Sequence, residues 1–235
     1  DPVAQELQPL VVADLQRPVA DAGVGQGPLQ QFPVVEHVAD AAFELGDRDL
    51  TNRYPRAVAA AGVAHVPEDR IGTGLAPTLE VEQNAILRAY ERQPIARGSF
   101  LISTAIDRFT DELVAQYDVK TPSRSTPVRD LSGGNQQKLL ISRWVAIGPR
   151  ILILDEPTRG IDVGTKSEVH RLLSQLAGQG LAILMISSEL PEVLGMADRV
   201  LVVREGYITA EISRADATAE SVMFAATHTA SEVAR

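Results

Sequence analysis

Cysteine is absent from these 235 residues. That excludes disulfides and thiolate metal centres, and it fits a cytosolic chain. Long apolar runs are missing too. No stretch approaches the roughly 18 uninterrupted apolar residues of a membrane span, so any membrane association has to come through a partner. Basic residues are in the minority, 22 Lys and Arg against 31 Asp and Glu, a net charge of −9. That balance excludes non-specific nucleic-acid binding. The chain does not open with the charged-then-apolar pattern of a secretory signal. No lysine precedes Lys120. What remains is 45% hydrophobic, ample for the core of one domain, or of a domain with a subdomain.

One stretch organises the rest. Leu131 to Gly164 reads LSGGNQQKLLISRWVAIGPRILILDEPTRGIDVG. Its periodicity predicts an amphipathic helix over Gln136 to Ile147, broken by Gly148-Pro149. A buried parallel strand follows over Ile151 to Leu154 and ends at Asp155-Glu156-Pro157. In open α/β sheets, ligands bind at such carboxyl ends. Ser132, Gly133 and Gly134 lie just ahead of the helix. Free N–H groups and the positive dipole end there make a phosphate site, and glycine lets an oxyanion approach the backbone. Asp155 ends an apolar strand, where a carboxylate is costly without a cation or donor. It is the candidate holder of the magnesium of a nucleotide triphosphate. Glu156 would reach the water that attacks a γ-phosphate. Asp162 sits in a tight loop with Gly160 and Gly164.

LSGGNQQK followed by ILILDEPTRGID resembles the nucleotide-binding domain of an ABC transporter. More narrowly, it is similar to the second ATP-binding cassette of the tandem ATPases that power bacterial import of ribose, xylose and autoinducer-2. The resemblance covers residues 46–228. It implies an α/β, P-loop NTPase-like cassette with a helical subdomain at about residues 79–130, and a frayed tail at 229–235. It implies ATP and Mg2+ as ligands, with Ser132, Gly133, Gly134, Asn135, Gln136, Glu68 and Asp162 at the nucleotide. Glu156 and Ser188 are the implied catalytic pair and Asp155 the implied metal ligand. Glu68, in Pro67-Glu68-Asp69-Arg70, takes the coupling-loop position. The alternative for Glu68, Asp69 and Arg70 is a solvated turn. Ser188 stands where most ABC ATPases carry a histidine. His170 cannot replace it and reads as a helix-surface histidine.

Residues 1–45 depart from the pattern. A cassette opens with strands and a phosphate loop, G-x-x-x-x-G-K-[ST], often with Arg for Lys in this group. The nearest segment, Gly23-Val24-Gly25-Gln26-Gly27-Pro28, lacks the cation, and Pro28 removes a donor. Gly160 to Ser167 is one residue out of phosphate-loop register and reads as the loop after the acids. Gln5 to Ala22 is open to one helix, although Pro2, Pro9, Pro18, Pro28 and Pro33 interrupt the segment. A truncated or recombined gene, or a frame error before residue 46, would give this opening.

The remaining pattern is regular. Ala61 to Val66 reads as a strand. Val81 to Arg88 begins a helix, and Ile106, Phe109, Leu113, Val114 and Tyr117 stripe a second one. Pro94 and Gly98 separate the two. Thr121 to Arg129 is a loop. Lys166 to Ala177 is a helix, with Val169, Leu172, Leu173 and Leu176 inward and Gly178 and Gly180 at its end. Leu181 to Ile186 is a strand and Glu192 to Ala197 a short helix. Asp198 to Val203 and Tyr207 to Ile212 form a hairpin, and a helix follows Asp216.

The expectation is an ATPase component of a sugar importer, working with another cassette, permease subunits and, indirectly, a sugar-binding protein. It would sit on the cytoplasmic face of the plasma membrane and would not bind nucleic acid. The other possibility within the family is a non-catalytic cassette that donates its signature to a partner's ATP site. A soluble ABC-type ATPase of DNA repair or translation usually adds coiled-coil or basic insertions, and neither is present.

Overall fold

The computed structural model describes residues 10–15, 43–46 and 48–228. In chain order it contains β1 (Leu10–Leu15), β2 (Glu44–Leu45), β3 (Arg48–Asp49), α1 (Pro55–Ala60), β4 (Val63–Val66), α2 (Val81–Ile86), β5 (Ala96–Arg97), β6 (Phe100–Leu101) and α3 (Ser103–Gln116). Then come α4 (Gly133–Val145), β7 (Ile151–Asp155), α5 (Val163–Gly178), β8 (Ala182–Ser187), α6 (Leu190–Met196), β9 (Arg199–Arg204), β10 (Tyr207–Ser213) and α7 (Ala219–Thr227). The chain divides into two units, residues 62–176 and residues 1–61 with 177–235.

In the second of these units, β1 lies between β8 and β9 and runs antiparallel to both. Leu10 to Leu15 is thus a strand, which corrects the helix considered over Gln5 to Ala22. The physical reason is local and tertiary together. Val11 and Val12 favour extended backbone, and a partner strand on each side satisfies the main-chain groups. The rest of that helix, and Gly23 to Pro28, lie outside the described residues. The β9–β10 hairpin turns at Glu205 and Gly206, both with positive φ (51° and 84°). That is the requirement of a two-residue type I′ turn. Thr218 opens α7 with a capping box, its side chain accepting from the Ser221 N–H.

In the 62–176 unit, β4 and β7 pair in parallel, Val63 opposite Ile151 and Val66 opposite Leu154. Ala64, Val66, Leu152 and Leu154 are fully buried, as are Leu139, Leu140 and Ile141 of α4. The helical part carries the expected stripe. Leu113 of α3 and Tyr117 just after it are buried, while Ile106 and Phe109 pack on Ile86, Ala89 and Ile95. Between α2 and α3 the chain makes a short hairpin, β5–β6, with Gly98 at φ 64° in its turn. The sequence showed a break here but not a pair of strands, because two-residue strands leave no periodicity to read.

α4 differs most from expectation. It is not amphipathic in its surroundings: Gln136, Gln137, Lys138, Ser142 and Arg143 are buried along with its apolar residues. Each polar head needs an internal partner. Lys138 donates to the Asp118 carbonyl at 2.7 Å and pairs with Glu168 at 2.7 Å. Ser142 donates to the Leu139 carbonyl.

Asn84 of α2 is fully buried and ties the start of the helical part together. Its Oδ1 accepts from the Ala76 N–H, and its Nδ2 reaches the carbonyls of Ala76, Leu79 and Glu80. Substituting Asn84→Leu leaves those backbone groups unpaired. Urea unfolding monitored by far-ultraviolet circular dichroism is expected to show a loss of about 2–3 kcal/mol; an unchanged midpoint would mean that water replaces the amide.

Candidate functional site at the start of helix α4

Ser132 is the N-cap of α4. Its Oγ accepts from the Asn135 side-chain amide at 2.8 Å and, more distantly, from the Asn135 backbone N–H at 3.4 Å. Asn135 Oδ1 in turn accepts from the Lys120 N–H at 2.8 Å. The segment after α3 and the helix start are therefore fixed to each other. The N–H groups of Gly133 and Gly134 occupy the first two helical positions, which helix geometry leaves without intrahelical acceptors. The dipole's positive end coincides with them.

A close approach explains Gly134, while a Cβ at Gly133 would meet only ordinary contacts. A Cβ on Gly134 would stand 1.9 Å from Thr165 Cγ2 of α5. A Cβ on Gly133 would stand 3.4 Å from Arg70 Nη2 and 3.5 Å from the Gly160 carbonyl. The expected site residue Asp162 caps α5, accepting from the Thr165 N–H at 3.0 Å and the Thr165 hydroxyl at 2.7 Å. Those bonds hold its carboxyl below the ordinary range. The Gly160 to Ser167 segment is thus a loop and a helix start. Gln136, expected at the nucleotide, is buried here, and its Nε2 donates to the Val128 and Leu131 carbonyls. Its role is to hold the turn before Ser132.

Asp155 closes β7. Burial, and then the negative charge of Glu68, raise its pKa, while His65 pulls it down. Glu156 has φ 45°, a left-handed conformation that costs a non-glycine residue of order 1 kcal/mol or more. The strain turns the chain sharply between the acid that ends the strand and the loop that follows. Glu68 forms an ion pair with Arg159. Asp69 Oδ1 accepts from the Gly72 N–H at 2.8 Å. Arg70 Nη1 donates to the Arg159 carbonyl at 2.7 Å. Glu68, Asp69, Arg70, Ile71 and Arg159 line a cavity of about 420 Å³.

Arg70 is half-buried, and desolvation lowers its pKa, so it is not part of a solvated turn. Its guanidinium links the turn after β4, the loop after β7 and the start of α4. Arg70, Arg159 and Thr165 are the site residues that sequence reasoning missed as contacts. Their only signal was proximity in sequence to the acids. Ser188 is exposed immediately after β8, in the unit of residues 177–235.

A divalent cation fits this donor set. Burial and the charge of Glu68 raise the cost of ionising Asp155, which a cation relieves. Among the described residues no cluster of three or more His, Cys, Asp or Glu is arranged to hold a metal. Magnesium takes one or two carboxylates and completes its shell with phosphate and water.

Asp155 contributes stability in its protonated form. The contribution is full below the ordinary carboxylate pKa and is lost as pH rises through the raised folded value. Asp155→Asn is therefore expected to be more stable than the parent at pH 7 and equal to it near pH 3, read by thermal unfolding across that range. Equal stability at pH 7 would show that the carboxylate carries no burial cost. Gly134→Ala forces a methyl into Thr165. It is expected to lose about 1–3 kcal/mol in denaturant unfolding, with Gly134→Ala/Thr165→Ser recovering part of the loss.

Residues 38–159, slightly over half of the chain, match the family described as ABC transporter. The chain is 54% identical over 185 residues to ribose import ATP-binding protein RbsA 2 of Streptomyces avermitilis, covering 78% of this chain and 36% of that protein. It is 51% identical over 200 residues to ribose import ATP-binding protein RbsA of Rhodococcus jostii, covering 81% of this chain and 39% of that protein. The chain thus spans little more than a third of the curated relatives it matches. An ATP-binding cassette solved as a dimer, in a post-hydrolysis state bound to ADP and Pi, superposes with a TM-score of 0.61 at 18% identity, over 72% of each chain. A cassette of an ABC transporter in its ADP conformation gives 0.58 at 19% identity, over 72% of this chain and 68% of that one. These likenesses show the α/β cassette fold, and with the family match they establish that the chain belongs to the ABC transporter family.

Proposed function

We propose that this chain is ATP-binding cassette sequence of a sugar importer, of the second-cassette type, and that it works as the signature-donating half of an ATP site. The observation that carries the proposal is the braced start of α4. Ser132 caps the helix, Asn135 ties it to Lys120, and Gly134 is pressed against Thr165. A phosphate held by another cassette would meet N–H groups already aimed and paid no cost of ordering. The names of the relatives, ribose import ATP-binding proteins, support sugar import.

In this reading Ser132, Gly133 and Gly134 donate to phosphate, and Asn135 positions them. Asp155, Glu156 and Ser188 stand at the family's positions for Mg2+, the attacking water and the γ-phosphate, roles that this chain would exercise only with a phosphate loop of its own. Glu68 and Asp162 lie in the turns that report on the nucleotide. The partners are a second cassette, permease subunits and, through them, a sugar-binding protein, at the inner face of the plasma membrane.

The donor role is favoured over a self-sufficient ATPase by the direction of β1. A phosphate loop follows a strand that ends on the ligand side of the sheet. Here Leu15 lies opposite Ile183, and Val11 lies opposite Ser187. The chain therefore leaves β1 at the end of β8 away from Ser188. Losing the loop removes several charge-assisted hydrogen bonds worth about 1.5–3 kcal/mol each.

Equilibrium Mg-ATP binding to the full chain, with Glu156→Gln alongside, tests this. The expected result is a dissociation constant above about 100 μM, with negligible hydrolysis. Low-micromolar binding that Asp155→Ala abolishes would overturn the donor role and establish a complete cassette.

A further inference from the structure

β10 stands at an edge of its sheet. It pairs antiparallel with β9 on one side, and among the described residues no strand pairs with its other side. The register with β9 shifts between Ile208 and Ala210. Beyond that bulge, Ala210 to Ser213 continue without interruption. A strand edge presents N–H and C=O groups to any extended chain that approaches, and edges are commonly blunted by lysine or proline. Ala210 to Ser213 carry neither.

A cavity of about 500 Å³ lies along this stretch, between β10 and α7. Ala210, Glu211 and Ile212 all line it. Side chains alternate between the two faces of a strand, so three successive residues border one cavity along the strand's edge. Phe224 and Ala225 of α7 form an apolar wall. Phe224 is 45% exposed there, although its ring stacks on His228. Thr209 holds the helix in place, its hydroxyl donating to the Ala225 carbonyl at 2.9 Å. The rim is acidic. Glu211 pairs with Arg199 at 2.8 Å. Asp216 accepts from the Ser213 hydroxyl at 2.6 Å. Among the described residues, no cation pairs with Asp216 or with Glu220 in the first turn of α7. The helix start does not compete for an anion, because the Thr218 capping box already satisfies it.

We propose that this groove takes an extended, basic segment of a partner protein, which adds a strand to the open edge of β10. Main-chain hydrogen bonds to the edge hold the segment, and alternate side chains select it. A lysine or arginine of the segment meets Asp216 and Glu220, and a neighbouring apolar side chain lies on Phe224 and Ala225. The rim sets the sign of the charge, since an acidic segment would meet carboxylates that have no cation of their own. None of these residues belongs to the site at the start of α4.

The isotope-labelled full chain is titrated with the acetylated, amidated pentapeptide valyl-arginyl-valyl-arginyl-valine and followed by its amide NMR spectrum at constant ionic strength. The controls are the peptide with glutamyl in place of arginyl, and the arginyl peptide with methylated amide nitrogens. The expected result is saturable shifts at Ala210 to Ile212 and in α7 with the first peptide, and none with the controls. Glu220→Lys, checked for folding by far-ultraviolet circular dichroism, weakens that binding about fivefold and leaves Mg-ATP binding at the parent's level. No saturable shift, shifts only elsewhere, equal binding of the glutamyl peptide, or full retention in Glu220→Lys overturns the groove. Equal binding of the methylated peptide overturns strand addition. A dimer of the unliganded chain that the first peptide dissociates makes a second copy the occupant and overturns the foreign partner. Because Mg-ATP binding is read separately, failure of this inference is distinct from failure of the nucleotide reading.

Discussion

The contact between Gly134 and Thr165 is the constraint on which the candidate site depends. It sets how closely the first turn of α4 approaches the first turn of α5, with no space for even a methyl group between them. Given that approach, Asp162 caps α5 through Thr165, and Gly160 reaches Gly133. The same proximity lets Arg70 span from the turn after β4 to the Arg159 carbonyl. Each of these contacts uses a short side chain or the backbone itself, so the geometry has little freedom to relax. A helix N-terminus alone is a weak anion site. A helix N-terminus whose cap, preceding turn and neighbouring loop are all fixed is preorganised, which is the property the proposed phosphate contact needs.

Charge placement in the 62–176 unit follows one pattern. Cationic side chains are drawn inward and satisfied in different degrees. Lys138 is completed by Glu168 and the Asp118 carbonyl. Arg70 has a carbonyl acceptor and keeps one buried nitrogen without a partner. Arg143 keeps two. Asp155 is raised by burial and then by the charge of Glu68, although Glu68 itself pairs with Arg159. The unit therefore holds acids that gain from a cation and arginines that gain from an anion.

Much of this was legible in the residues. Glycines before a helix, an acid at the end of an apolar run and the spacing between them identify the site in one dimension, because each is a local requirement of backbone geometry. The stripe of α3 and the β9–β10 hairpin were equally readable, since burial repeats at 3.6 or 2 residues and Glu205-Gly206 is a turn signal. The interior of α4 was not. Gln136 was expected at the nucleotide and nothing in the pattern marked Gln137, Lys138 and Arg143 as buried, yet their surroundings include groups as far away as Gly74, Asp118 and Glu168. The strand at Leu10 to Leu15 was also hidden, because its neighbours β8 and β9 lie more than 160 residues away along the chain.

By itself the sequence determined the α/β class, the helix start at Ser132 to Gly134 and the acids at Asp155 and Glu156. These depend on local rules of capping, propensity and strand termination, which act within a few residues. Only the tertiary structure decided that Gln136 turns inward, that Arg70 joins three loops, that β1 runs antiparallel to β8, and that Arg143 is buried without an acid. Those outcomes depend on which distant groups arrive beside a side chain. A polar residue is solvated or buried according to its neighbours, and no local pattern encodes them.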